Sequence, residues 1–109
     1  MSLANRTLSR CDSSASPLSV EEITLLLNDI DHWNLATEGS TTRITKEYKF
    51  KNYLLAQEFA NKVADLAELE NHHPRVCIEW GKAKVCWWTH SINGLFINDF
   101  IMAARCDEI

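Results

Sequence analysis

From residue 18 onward the chain switches between two hydrophobic periods, and the switches divide it into elements. Val20, Ile23, Leu26, Leu27 and Ile30 recur at three- and four-residue spacing, the mark of one face of an amphipathic helix. Its start is encoded locally. The Ser19 hydroxyl can accept from the Glu22 backbone N–H while the Glu22 carboxylate reaches back, and Leu18 with Ile23 fits a hydrophobic staple. The spacing predicts a helix to about Asn28. Trp33-Asn34-Leu35 reads as a short strand, followed by a turn around Glu38-Gly39-Ser40. Between Thr42 and Phe50 the period falls to two. Ile44, Tyr48 and Phe50 share one face and Arg43, Thr45, Glu47 and Lys49 the other, with Lys46 a charge on the apolar side. That is a half-buried antiparallel strand.

Asn52 can cap a second helix, on which Leu55, Phe59, Val63 and Leu66 form a stripe. Ala56, Ala60 and Ala67 beside it allow close approach of another element. This helix must stop by Pro74, because His73 precedes the proline and is pushed out of the helical region. Val76, Ile78 and Trp80, then Ala83, Val85 and Trp87, alternate with polar positions and predict a hairpin turning at Gly81-Lys82. Ile97, Phe100, Ile101 and Ala104 mark a third helix from about Leu95 to Arg105. The order αββαββα predicts an α+β fold: a four-stranded antiparallel sheet with helices packed on one face.

Composition narrows the class. At 109 residues the chain is one domain with a modest core, which self-association would help to cover. No apolar run approaches the ~18 residues of a membrane span. Fifteen acidic side chains against eleven Lys and Arg give a net charge of −4, which removes any general attraction to nucleic acid. Residues 1–17 stand apart from the folded domain expected over 18–109. They carry Ser2, Ser9, Ser13, Ser14 and Ser16, two arginines and a single acid, Asp12. They read as a disordered tail or, less specifically, a weak organelle transit peptide. Cys11, Cys77, Cys86 and Cys106 lack CxxC spacing, and no secretory segment precedes them. Reduced thiols in a cytoplasmic protein are expected.

The candidate chemistry lies at element ends. His72 and His73 fall where the second helix stops, and His90 follows the last strand. Alone, they could be surface or capping histidines. A zinc site is disfavoured, because adjacent side chains diverge and no other ligand pattern supports it. The longer spacing is more informative. Glu68-x3-His72-His73-Pro74-x5-Trp80-x8-Thr89-His90-x8-Asp99 resembles the signature of the pterin-4a-carbinolamine dehydratases, whose members are also known as dimerisation cofactors of a homeodomain transcription factor. The resemblance spans about Leu18 to Ala104, and the αββαββα order is that family's fold.

The resemblance implies dehydration of a tetrahydropterin hydroxylated at ring carbon 4a, as left by an aromatic amino-acid hydroxylase. The product is the quinonoid dihydropterin. No metal and no cofactor are implied, since the pterin is itself the substrate. A proton must reach the departing hydroxyl and another must leave a ring nitrogen, work suited to histidine. By position, the resemblance makes His72 and His90 the acid/base pair and gives His73 to binding and positioning the pterin. Glu68, one helical turn before His72, is expected to orient it. Asp99 would stabilise a protonated histidine, Trp33 is either a face for the pterin ring or a core residue, and Pro74 and Thr89 complete the motif. Two residues depart from the family pattern. Phe96 replaces the Ser or Thr that would open the last helix, and Trp87 replaces a smaller apolar residue. Neither removes a catalytic side chain, so an active enzyme is expected. The family also implies homodimers through edge strands and tetramers through helices. The competing reading is a non-catalytic interaction protein on the same fold, either a transcription-factor cofactor or an assembly chaperone.

Overall fold

The structure, a computed structural model, describes residues 3–10 and 14–109. Its elements follow the expected order: α1 (Val20–Leu27), β1 (Asn34–Glu38), β2 (Thr41–Lys49), α2 (Tyr53–Glu70), β3 (Arg75–Glu79), β4 (Lys82–Trp87) and α3 (Ile97–Cys106). The strands form one antiparallel sheet in the order β1-β2-β4-β3, leaving β1 and β3 as edges. The helices cover one face. Ile44, Ala83, Val85 and Trp87 project from the sheet onto Phe59, Val63 and Ala67 of α2 and Phe100, Ile101 and Ala103 of α3, all buried. Among the described residues no helix is long and apolar enough to cross a membrane.

Local chemistry sets the boundaries. Both halves of the Ser19–Glu22 capping box form, at 3.2 and 3.0 Å. The Asn52 side chain accepts from the Leu55 N–H at 2.9 Å. The β3–β4 turn sits one residue earlier than the sequence suggests: Glu79 pairs with Lys82, and Trp80-Gly81 make the turn. Gly81 has φ +74, the left-handed region that a glycine enters freely, and this pulls the turn onto it. Trp80 is thereby left 71% exposed at the hairpin tip. Lys46, the charge on the apolar face, reaches Asp107 at 2.7 Å beyond the end of α3.

The described part of the segment expected to be a disordered tail lies against the domain. Leu3 is buried, and Leu3–Asn5 form a short 3-10 turn beside α3. Arg105 donates to the Ala4 and Arg6 carbonyls at 3.2 and 2.8 Å, and the Asn98 amide makes two 2.7 Å bonds with the Ser9 backbone. These contacts explain why α3 is buried on more than its sheet-facing stripe. Leu3 supplies an apolar contact, and polar α3 side chains satisfy the strap's backbone.

Candidate active site

The end of α2 determines where His72 points. Asn71 adopts the left-handed conformation at φ +52, its N–H donates to the Glu68 carbonyl, and the His72 N–H donates to the Ala67 carbonyl. This is a Schellman motif, with asparagine in the position glycine usually fills. The reversal takes His72 off the helix, so the i, i+4 relation expected to bring Glu68 to it does not apply. Glu68 instead pairs with His73, Oε1 to Nε2 at 2.8 Å, on the exposed surface. The expected orientation of His72 by Glu68 is therefore corrected: Asp99 holds that place.

Asp99 lies in the first turn of α3 and is fully buried. Its Oδ1 is 2.6 Å from His72 Nε2, while Oδ2 accepts from the Thr89 hydroxyl at 2.8 Å and the Phe96 N–H at 3.0 Å. A neutral imidazole that donates its Nε2–H to this carboxylate carries its lone pair on Nδ1. Phe96 offers no side-chain acceptor, so only the carboxylate half of a capping box can exist here. That half is enough to fix Asp99. Beneath His72 lies Trp87, fully buried and stacked on the imidazole with centroids 5.5 Å apart and planes 13° from parallel. The large residue that departs from the family pattern thus becomes a floor for this histidine.

Thr89 and Gly94 form an isolated bridge, with Thr89 N–H donating to the Gly94 carbonyl at 2.8 Å, and close the loop that begins at His90. His72, His73, Thr89 and His90 consequently line one cleft of about 500 Å³. Leu8, Ser9 and Asn98 form part of its wall. A purely local reading of the sequence could not show that this segment belongs there, because Ser9 meets Asn98 almost ninety positions away. Pro74 lies beside His73 along a neighbouring groove, also lined by Ala64, Ala67, Glu68 and Val76.

Trp33 is elsewhere. It is 5% exposed, donates from Nε1 to Asp107 at 3.0 Å and meets the Tyr48 ring edge-on. Of its two readings the core role is the one observed. Among the described residues no three His, Cys, Asp or Glu side chains are grouped as a metal would require. Cys77, Cys86 and Cys106 are free, and Cys11 lies outside the described residues. Burial pushes the Cys106 thiol up to about 12, which keeps it neutral and inert.

Comparison with known proteins gives a consistent result. A family model described as pterin 4 alpha carbinolamine dehydratase matches residues 16–109. A Marinobacter nauticus protein provisionally assigned that dehydratase name is 48% identical over 107 residues, covering 98% of this chain and 96% of its own. A Vibrio vulnificus protein with the same provisional assignment is 46% identical over 99 residues, 91% of this chain and 90% of its own. A crystal structure from Brucella melitensis, described as a transcriptional coactivator/pterin dehydratase, superposes with a TM-score of 0.76 at 29% identity. It covers 85% of this chain and 97% of its own. With a match that includes both histidine motifs and Asp99, the chain belongs to the pterin 4 alpha carbinolamine dehydratase family.

Proposed function

We propose that this protein dehydrates a 4a-hydroxytetrahydropterin to the quinonoid dihydropterin, recycling the pterin used by an aromatic amino-acid hydroxylase. The observation that carries the reading is the buried Asp99 carboxylate, which holds His72 at 2.6 Å in the cleft that His90 also lines. In the elimination, the C4a–O bond breaks with its electron pair and the hydroxyl leaves as water after gaining a proton. A ring N–H loses its proton, and the electron pair left behind forms the C=N bond. One acid and one base satisfy the balance, and no electrons are exchanged with an outside group. His72 suits either role. Neutral, it presents the Nδ1 lone pair as a base; protonated, its charge is compensated by Asp99. His90 is the second proton carrier. His73, held by Glu68 at the rim, serves binding and positioning of the pterin.

The reading requires neither metal nor cofactor. It also includes assembly as a homotetramer, with the dimer as the smaller alternative, in a cytoplasmic setting that the free thiols suit. The Brucella protein's description as a coactivator raises a second reading, a non-catalytic interaction partner. Such a role gives no reason to bury a carboxylate against His72. A coupled assay, with the carbinolamine generated in situ by a hydroxylase, separates the two. Dehydration faster than buffer, unchanged by exhaustive chelation, supports the enzyme; a rate equal to buffer favours the interaction protein.

A further inference from the structure

Strand alternation sends the neighbouring indoles of Trp87 and Trp88 to opposite faces of the sheet. Each meets one of the two proton-carrying histidines. Trp87 stacks under His72 from the helix side, while Trp88, half-buried on the open side, stacks on His90. The second stack is the closer and flatter, with centroids 4.5 Å apart and 7° between the planes. It also stands alone. His72 is restrained by Asp99 as well, but His90 is exposed and its ring has no hydrogen-bond partner among the described residues.

We propose that Trp88 is the positioning residue for His90, its flat face fixing the plane and rotamer of the imidazole within the cleft. Trp88 is suited to this because it directly follows β4 and is held by side chains of the sheet rather than by the loop that carries His90. The Arg43 guanidinium carbon lies 3.9 Å from its ring centre and that of Arg75 lies 5.5 Å away. Both are cation–π contacts. Both arginines donate to Glu38 Oε2, at 3.1 and 2.9 Å, and Arg43 is only 9% exposed. Glu38 comes from β1, Arg43 from β2, Arg75 from β3, and Trp88 directly follows β4. Three strands therefore contribute side chains to the platform, and the end of the fourth carries Trp88. An exposed histidine would otherwise sample several rotamers, and few of them would place a ring nitrogen within proton-transfer distance.

The inference rests on the assignment of His90 to proton transfer, so its test carries a readout independent of turnover. Trp88→Phe, Trp88→Leu and Trp88→Ala are made in the full-length chain and compared by kcat, KM and the NMR shifts of the His90 ring protons. An indole face displaces those protons upfield. The Leu and Ala variants are expected to lose that displacement and to lower kcat by on the order of 10- to 10²-fold, the scale of a modest misplacement, with KM nearly unchanged. The Phe variant is expected to keep most of both. If Trp88→Ala does not fold, the Leu and Phe pair decides, since both retain bulk and only Phe retains a flat face. Wild-type kcat in Trp88→Leu overturns the positioning role, and ring protons unmoved in that variant overturn the stack itself. If His90→Ala dehydrates at the wild-type rate, the catalytic assignment fails and the positioning role falls with it, while the NMR shift still reports the contact.

Discussion

At the residue scale, the difference between His72 and His90 is one of support. His72 lies between a fully buried carboxylate and a buried indole; among the described residues the His90 ring has a stacking partner alone. Asp99→Asn tests the carboxylate. The amide keeps the shape but cannot both accept the Nε2–H and balance an imidazolium, so kcat is expected to fall on the order of 10²-fold, within the range of acid/base groups. Steady-state kinetics on the folded variant checks it, and an unchanged kcat would remove Asp99 from the mechanism. The residues of this site were legible in the sequence, but their pairing was only partly so. The motif gathers His72, His73, Thr89, His90 and Asp99, and all but the buried Asp99 line the cleft. It does not reveal that Asn71 turns left-handed, and that turn is what transfers His72 from Glu68 to Asp99. The Trp87 and Trp88 stacks were equally hidden, because strand alternation assigns each indole a face but not a partner.

At the element scale, helix starts are the best-encoded features because a cap is written within four residues. The backbone N–H and hydroxyl of Ser19 hold the Glu22 carboxyl below its ordinary 4.5. A carboxyl lowered on folding adds stability above its ordinary value and loses that contribution as pH falls through the lowered value. Glu22→Gln should therefore differ from wild type in Tm at neutral pH, with the difference shrinking as pH falls below 4.5. Thermal melts across that range check it, and a constant difference would mean that the carboxylate charge contributes nothing. Asn52→Ala, which removes the α2 cap at 2.9 Å, should cost about 1 kcal/mol. The hairpin turn was less legible by one residue, since Trp80-Gly81 and Gly81-Lys82 are both plausible until the register is known. The N-terminal strap was not legible at all. Its polar composition resembles disorder, and its contacts are made to Asn98 and Arg105 at the far end of the chain.

At the scale of the whole molecule, the isolated chain leaves apolar surface and strand edges uncovered. Of the stripe expected on α2, Phe59 and Val63 turn into the core, Leu66 packs half-buried against it and Leu55 is 38% exposed. Leu54 and Leu69, outside the stripe, are 59% and 79% exposed. With β1 and β3 also open, light scattering at micromolar concentration should give a tetramer, or at least a dimer. A stable monomer would contradict the proposed assembly. The αββαββα order was legible because each period change carries its own boundary signal. The convergence of α2, β4 and α3 on one cleft was not, since it depends on long-range packing. That convergence is what the proposed function depends on, and one measurement tests it most directly: the dehydration rate of the His72→Ala/His90→Ala double variant beside wild type. The predicted result is a loss on the order of 10²–10⁴-fold, down to the spontaneous rate if that lies higher; a double variant that dehydrates as fast as wild type would contradict it.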